Sequence, residues 1–418
     1  LGFAKTDVGL IKGTIQPLLY FLPILTGAIA DRMGYRKTLM IAFSLLGLGY
    51  LATSQVTEYN AVFISLIIMG IGAGTFKPVI SGTIAKVTDE RTSTLGFGIF
   101  YWTINLGAFL FPLILVPILK SMDWSYVLIA AGICTGAMLL PTIFIYKEPA
   151  TEEKQSVPFL KMLEEVFIKI WLVLKDWRFI LFVFIYSWFW ILYFQMFDSV
   201  LWYVKAFVDP SPLNAFVNSH FGTNWKFDIE HVTVINAGTI IMLQLWISSL
   251  VKNTRALPTM LVGIAMATLG MAILSLGTSI WIFLVGIIIF STGEVTAHPK
   301  FISYLGLLAP EDKKATYMGF GFLYGVFGSF FGGIIGANLY VYFIDNPMIS
   351  FVRAKLEQAG QSALLAPGAG ADAAIKAAES IGLGRAEISL QADPSALWLV
   401  FSSMGVLCIV GLLAYQHF

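Results

Sequence analysis

The stretch AVFISLIIMGIGAGTFKPVISGTI, residues 61–84, decides the fold, because it is long and apolar enough to cross a membrane yet carries a lysine well inside it. A charge there costs roughly 2.5 to 3.5 kcal/mol unless it faces water or a counter-ion. Gly70, Gly74, Lys77 and Ser81 recur at helical spacing and share one face of the predicted helix. We interpret this face as the wall of a polar cavity inside a membrane protein.

The composition of the whole chain is that of a membrane protein. Of its 418 residues, 57% are hydrophobic and 12% charged, against roughly 25% charged in soluble domains. A formal net charge of +1 gives no reason to expect nucleic acid as a partner. Cys134 and Cys408 lie in apolar stretches, so they indicate neither a disulfide framework nor a metal site. We expect a multi-pass protein of the plasma (inner) membrane that works as a monomer.

Eleven stretches are long enough to cross roughly 30 Å of hydrocarbon as helices. Lys and Arg concentrate in alternate connections, which predicts that the first span runs from the outside to the inside. An odd number of spans with an external start indicates that another span precedes Leu1, so we expect an all-α fold of two six-helix bundles. The predicted spans are 8–30, 38–54, 60–86, 93–119, 124–146, 178–208, 232–251, 257–277, 279–304, 315–343 and 395–415.

Two segments between the spans have a character of their own. Charged residues at four-residue intervals against apolar ones predict an amphipathic helix at 157–177, lying in the headgroup plane. We interpret the segment 344–394 as a solvated external loop, with short helices near 348–359 and 371–381. The predicted organisation is an N-terminal bundle at 1–146, a cytoplasmic linker at 147–177 and a C-terminal bundle at 178–418 that includes the insertion 344–394.

Polar side chains in separate spans point to the contents of the cavity. Lys77 in the first bundle and Glu294 in the second supply opposite charges, which a zwitterion such as a short peptide requires in a dry cavity. Asn105 and Asn236 can donate to and accept from a peptide bond, or else join helices. His298 follows Glu294 by one helical turn and either relays a proton or serves in packing. No nucleophile, metal-ligand or phosphate-binding motif indicates an enzyme.

The first predicted span supplies a further wall and a gate. Tyr20 is expected to line the cavity, whereas Lys12 is expected to reach the outer surface with its long side chain. The tract GAIADRMGYRK, residues 27–37, predicts a helix end, a tight turn and a basic cluster that latches the two bundles together in one state and releases them in another. The candidate gating residues are Gly27, Asp31, Arg32, Gly34 and Arg36.

The same tract resembles the loop signature G-x-x-x-D-R-x-G-x-[RK]-[RK] of the major facilitator superfamily. Further matches along nearly the whole chain resemble the proton-dependent oligopeptide transporters of that superfamily. These matches are Tyr20 with Pro23 and Gly27, Gly72-x-Gly74-x-x-Lys77-Pro78-x-x-Ser81, Phe100-Tyr101-x-x-Ile104-Asn105-x-Gly107, Gln195, Ile235-Asn236, and Gly293-Glu294 ahead of Pro299.

The resemblance implies a symporter that imports di- and tripeptides or peptide-like zwitterions by alternating access. The proton gradient would supply the energy, and no cofactor would be needed. The candidate substrate-binding residues are Tyr20, Lys77, Asn105, Gln195, Asn236 and Glu294, and the candidate proton-coupling residues are Lys77, Glu294, Asp198 and His298.

Three positions depart from the family pattern. Ala108 stands where a serine is usual, Asp198 where a small hydroxyl is common, and Gly321 where a pocket tryptophan is frequent. These departures predict a wider and more acidic cavity. Two alternatives therefore stay open, a carrier of another small solute such as a drug or an organic anion, and a membrane nutrient sensor that binds without transporting.

Overall fold

The computed structural model of the protein describes residues 3–88, 93–148, 159–308, 310 and 314–417. A few side chains inside the described helices, including that of Asp31, are left out. The described residues contain eleven helical segments long and apolar enough to cross a membrane, which confirms the eleven predicted spans.

In its described residues, the N-terminal half contains seven helices that provide five of the spans. Helix α4 continues through a π-helical turn at Phe111–Leu115 into α5, and α6 runs on into α7, so each of these pairs makes one span. The helices are α1 (Lys5–Met33), α2 (Tyr35–Gln55), α3 (Tyr59–Val87), α4 (Ser93–Leu110), α5 (Val116–Met122), α6 (Trp124–Ala137) and α7 (Leu139–Phe144).

The linker helix α8 (Phe159–Lys175) leads into the C-terminal half, which provides the other six spans. Its helices are α9 (Trp177–Phe194), α10 (Ser199–Phe207), α11 (Ser211–Phe221), α12 (His231–Val251), α13 (Ala256–Ile273), α14 (Ile280–Leu308), α15 (Lys314–Phe320), α16 (Leu323–Tyr340), α17 (Asn346–Gln358), α18 (Ala371–Glu379), α19 (Arg385–Ser389) and α20 (Pro394–Tyr415).

Acidic side chains fix where several spans begin. Glu58, Asp123, Asp176 and Asp393 each accept a hydrogen bond from a backbone N–H in the first turn of the following helix, at 2.8 to 3.1 Å. Such caps satisfy N–H groups that have no partner within the helix, and a carboxylate at a helix N-terminus is further stabilised by the helix dipole. The chain thereby places these four acids at the ends of the spans.

Glycines bring several helices into backbone contact. A Cβ added at Gly263, Gly270 or Gly293 would lie 2.4 to 2.5 Å from a backbone nitrogen of the neighbouring helix, which fixes α13 tightly against α14. Gly9 and Gly333 allow α1 to approach α16 in the same way, across the interface between the two halves. Small residues permit this close van der Waals packing, which is the main source of helix association in a membrane.

One predicted span is interrupted. A short 3₁₀ turn at Gln195–Phe197 separates α9 from α10, and Asp198 follows it in a non-helical conformation. A break of this kind leaves backbone groups without helical partners, so it is tolerated only where protein surrounds it. The break places the Asp198 carboxylate inside the protein, where it is 4% exposed.

The insertion is packed rather than open, which corrects the solvated loop that the sequence suggested. Helices α17 and α18 lie where short helices were predicted, and α19 adds a third. Val352, Leu356, Ala374 and Ile388 are almost completely buried in the same apolar core as the C-terminal half. The insertion therefore forms a helical cap on the side predicted to be external.

The linker helix has two faces, as its sequence pattern predicts. Val166 and Val173 are buried, whereas Phe167, Trp171 and Leu174 are exposed. The part of the linker before this helix lies largely outside the described residues, which resume at Phe159. The position of the exposed face in the headgroup plane stays a prediction.

Replacing Gly270 with alanine should lower stability, because the new Cβ would lie 2.4 Å from the backbone nitrogen of Phe290 and neither backbone can move aside. We expect a loss on the order of 1 to 3 kcal/mol, seen as a lower thermal midpoint in detergent. The matched control is Gly136→Ala on α6, where a Cβ meets nothing within 4 Å. Equal midpoints for the two variants would contradict close contact between α13 and α14.

Candidate functional site

Lys77 on α3 and Tyr20 on α1 form the N-terminal wall of the site. The Lys77 Nζ lies 5.1 Å from the centre of the Tyr20 ring, within the range of a cation–π contact. The Lys77 side chain is exposed, and among the described residues it has no carboxylate as an ion-pair partner. Its charge therefore rests on an aromatic face and remains available to an anion.

Tyr20 reaches across the interface between the halves. Its ring centre lies 6.3 Å from that of Phe194 on α9 and 6.2 Å from that of Tyr324 on α16. The phenol also lies close enough to Glu294 on α14 for the two groups to interact electrostatically. A single side chain thus contacts Lys77 in one half and approaches the acid in the other.

Glu294 is held by neutral groups. Its Oε2 accepts a hydrogen bond from the Asn236 amide at 3.1 Å, and the same amide donates to the Ser291 hydroxyl at 2.9 Å. The Tyr193 side chain also hydrogen bonds to the carboxyl group. In the described part of the chain no lysine or arginine pairs with Glu294. The acid can therefore gain or lose a proton without breaking an ion pair.

His298 faces the same region but has aromatic neighbours rather than proton-transfer partners. Its ring centre lies 5.4 Å from that of Trp190 and 5.8 Å from that of Tyr324. Its Nδ1 is buried with no hydrogen-bond partner among the described residues. The packing interpretation is thus the one that the contacts support, and the proton relay stays a prediction.

The structure gives hydrogen-bond partners for Asn236, and for Asn105 it gives the burial and the neighbouring helix. Asn236 is 5% exposed and orients Glu294. Asn105 is 9% exposed on α4, which packs against α12, the helix that carries Asn236. The two amides thus lie on helices that pack against each other across the halves, and substrate binding by either amide stays a prediction.

Gln195 does not line the cavity, which corrects the assignment implied by the family resemblance. It is completely buried, and its amide donates to the carbonyls of Ile191 and Gly332 at 2.9 and 3.0 Å. Its own carbonyl accepts from Ser199 at 2.8 Å. A Cβ at Gly336 would lie 2.3 Å from this side chain, so the glycine makes room for it. Gln195 joins α9 to α16 within the C-terminal half.

Lys12 does not reach the outer surface, so that expectation was wrong. Its Nζ pairs with the Asp198 carboxylate and donates to the Phe197 carbonyl at 2.9 Å. The break between α9 and α10 exposes this carbonyl and presents the acid to α1. The lysine therefore finds a nearer partner than the headgroups, and the pair joins the two halves.

Two further charge contacts join the halves on the side predicted to be external, and the sequence analysis missed both. Lys5 donates to Asp345 at 2.5 Å and lies 4.5 Å from the centre of the Tyr340 ring. Lys120 donates to Asp228 at 2.6 Å and to Glu230 at 2.9 Å. All five residues lie near the ends of spans, a position that could have marked them as candidates for ion pairs. The spacing of charges along the chain, however, does not show which residue pairs with which.

Asp228 lies in a connection outside the spans. Burial alone would raise the pKa of its carboxyl, but hydrogen bonds from Lys120 and from the backbone N–H of Ile229 hold the pKa below its ordinary value. The contact with Lys120 is consequently complete above the ordinary pKa of about 3.9 and is lost only as the pH falls through the lowered value. Mild external acid therefore leaves this contact intact.

The predicted gate is described only in part. Gly34 has φ of 91° at the turn between α1 and α2, a conformation that suits glycine. Arg36 donates to the carbonyls of Thr142, at 3.1 Å, and of Ile143. These contacts stay within the N-terminal half, and the gating role of Arg36 stays a prediction. The Asp31 side chain lies outside the description, and the roles of Gly27 and Arg32 in gating stay predictions.

Gly321 does not widen the cavity. A Cβ at this position would lie 2.0 Å from Cδ2 of Leu305, so the glycine faces a packed helix contact. The predicted widening therefore has no support at Gly321. The predicted acidity at Asp198 is offset by Lys12.

Among the described residues, no three His, Cys, Asp or Glu side chains lie close enough together to hold a metal ion. Eleven apolar spans among the described residues, divided between two halves with Lys77 in one and Glu294 in the other, define the class as a multi-pass membrane carrier. A family model described as Major Facilitator Superfamily matches residues 1–333, and the chain belongs to this superfamily.

The resemblance to peptide transporters is confirmed by similar sequences. The di-/tripeptide transporter of Lactococcus lactis is 28% identical over 127 residues, and the peptide transporter YePEPT of Yersinia enterocolitica is 30% identical over 132 residues. Each match covers 30% of this chain and 26% of the relative, so the chain matches about a quarter of their length. The multidrug resistance protein MdtH of Aeromonas salmonicida is 23% identical over 342 residues, covering 82% of this chain and 80% of that protein.

Solved structures share the fold. A POT family transporter in complex with a thioalcohol conjugated peptide has a TM-score of 0.70 at 18% identity, covering all of this chain and 88% of the other. The nucleoside transporter NupG has a TM-score of 0.65 at 15% identity, covering all of this chain and 91% of the other. The superfamily fold predicted from the sequence is thereby confirmed.

The pair between Lys12 and Asp198 generates a test. Lys12→Met leaves a buried carboxylate unpaired and should cost on the order of 2 kcal/mol, below the full cost of a buried pair because Lys12 is 30% exposed. The double variant Lys12→Met/Asp198→Leu removes the orphan charge and should recover most of the thermal midpoint. A double variant no more stable than the single one would contradict the pairing.

A second test concerns Gln195. Gln195→Leu should lower the thermal midpoint, because the carbonyls of Ile191 and Gly332 lose their side-chain donor in a buried site, at roughly 1 to 3 kcal/mol. The half-saturating substrate concentration for uptake should stay unchanged. A large rise in that concentration at unchanged stability would place Gln195 in the cavity after all.

Proposed function

We propose that the protein is a proton-coupled symporter that imports di- and tripeptides or peptide-like zwitterions by alternating access. The observation that supports this proposal is the pair of opposite charges on the two halves, Lys77 and Glu294, of which Lys77 contacts Tyr20 and Glu294 is near enough to interact with it electrostatically. Neither charge has an ion-pair partner among the described residues. A zwitterion would supply one partner to each.

The chemistry of a peptide matches these groups. Its carboxylate would bind the Lys77 ammonium, and its amine would bind the Glu294 carboxylate, each by a charge-assisted hydrogen bond. Asn236 already orients Glu294 and retains a carbonyl oxygen that can accept from a peptide N–H. The relatives in Lactococcus and Yersinia are named as transporters of peptides, which supports the same substrate class.

Alternating access would proceed by opening the side predicted to be external. In the described structure that side is closed by Lys5, Lys12 and Lys120, which bind carboxylates of the C-terminal half. Opening would require these contacts to break together, which favours two discrete states over a graded motion. We propose that protonation of Glu294 and binding of substrate together shift this equilibrium, with no cofactor involved.

A second candidate is a carrier of drugs or other organic solutes. The relative MdtH, a multidrug resistance protein, is matched over most of this chain, and the C-terminal wall carries the rings of Trp190, Tyr324 and His298. A membrane sensor would bind the same ligands but move none. Competition by dipeptides, amino acids and drugs against one labelled dipeptide, in proteoliposomes with an imposed pH gradient, separates these alternatives.

Removal of either cavity charge should impair uptake, each in its own way. Glu294→Gln should weaken uptake of peptides with a free amino terminus more than of amino-blocked peptides, and should flatten the dependence on external pH, because it removes the charge and keeps the shape. Lys77→Ala should abolish uptake against a gradient while the protein stays folded. Uptake by proteoliposomes at matched protein content measures all three effects.

The control for Lys77→Ala is Lys205→Ala, which removes an exposed lysine at the end of α10 and should leave uptake unchanged. Equal losses for free and blocked peptides in Glu294→Gln would refute the amine contact. An unchanged pH profile would move proton coupling to another group, with Asp198 the first to test.

A further inference from the structure

Gly325 on α16 differs from the other described glycines of that helix, because the group that packs against it is a side chain of the opposite half. Gly328 and Gly336 make room for Trp190 and Gln195 of the same half, and Gly333 meets the backbone of α1. At Gly325 an added Cβ would lie 2.3 Å from Cδ1 and 2.6 Å from Cε1 of Tyr20, which belongs to the opposite half. The glycine therefore seats the ring that the Lys77 ammonium contacts.

The C-terminal side of this contact has little freedom to yield. The Gly325 N–H donates to the Phe322 carbonyl at 2.9 Å, and the Gly325 carbonyl accepts from the Ser329 hydroxyl at 2.6 Å. Ser329 is completely buried. Gly328, one turn on, is already in contact with Trp190. The backbone at Gly325 is thus fixed from both sides, and a methyl group added there could not be absorbed by a shift of α16.

The N-terminal side is the more compliant one. Tyr20 lies between Pro17 and Pro23, two prolines inside α1. Each proline removes a backbone donor from the helix and permits a local bend. A ring displaced from Gly325 would therefore move with α1, away from α16, and the Lys77 ammonium that contacts this ring would have to adjust.

We propose that Gly325 is a positioning residue that determines substrate length, because the depth of its contact with Tyr20 sets the room between Lys77 and Glu294. This inference rests on the proposed function and adds a specificity determinant to it. A fuller side chain at position 325 pushes the ring into the cavity, which narrows the space for the peptide backbone. A tripeptide needs more of that space than a dipeptide. Uptake of tripeptides should therefore fall more than uptake of dipeptides.

A double-mutant cycle on Gly325 and Tyr20 tests the proposal in proteoliposomes. Gly325→Ala should lower uptake of a labelled tri-alanine relative to di-alanine by roughly tenfold, comparable to a misfit of one carbon in a binding pocket. In the Tyr20→Ala background, where no ring is present to be displaced, Gly325→Ala should leave the ratio of tripeptide to dipeptide uptake unchanged. Gly319→Ala is the matched control, since a Cβ there meets nothing within 4 Å.

The outcomes separate this proposal from the function on which it rests. If the parent protein transports neither peptide, the proposed function fails. The contact can still be tested by the thermal midpoints of the parent, the two single variants and the double variant. Gly325→Ala should lower the midpoint when Tyr20 is present and leave it unchanged in the Tyr20→Ala background. If the parent transports both peptides and Gly325→Ala changes the ratio equally with and without Tyr20, the proposal is overturned. An unchanged ratio in Gly325→Ala alone overturns it as well.

Discussion

A charge inside a membrane-spanning helix must meet water or an opposite charge, and this protein satisfies that constraint across the interface between its halves. Lysines of the N-terminal half bind carboxylates of the C-terminal half, so the separation of charge follows the division of the fold. Such contacts are strong only at short range and in a dry setting. Under the proposed function, these contacts would break together when the side predicted to be external opens. The contacts are Lys5 with Asp345, Lys12 with Asp198, and Lys120 with Asp228 and Glu230.

The spans and the location of the central charges could be predicted from the sequence because both depend on local composition. Twenty or so apolar residues predict a spanning helix whatever its neighbours are. A lysine or an acid inside such a stretch is costly, so Lys77 and Glu294 stand out without any knowledge of packing. The structure adds the connecting piece, Tyr20, whose ring contacts the lysine and approaches the acid.

The direction in which individual polar side chains point could not be predicted, because the rotation of a helix about its axis depends on packing partners distant in the chain. Gln195 belongs to a span rich in aromatic residues and reads as cavity lining, yet it turns toward α16 and is completely buried there. Lys12 reads as a surface residue because its partner, Asp198, becomes available only through a break in another helix. The position of Gly321 against Leu305 could not be predicted either, because it depends on how α14 packs beside it.

The charges that are satisfied inside the protein and those that are not form two separate groups. The lysines on the side predicted to be external have carboxylate partners. In contrast, Lys77 contacts an aromatic ring, and Glu294 accepts from amide and hydroxyl donors. Neutral partners stabilise a charge less than an ion pair does, so both groups gain when an opposite charge arrives. Under the proposed function the substrate completes the charge balance of the cavity. Binding a zwitterion then changes the electrostatic state of the interface at its centre, where Tyr20 already joins the two halves.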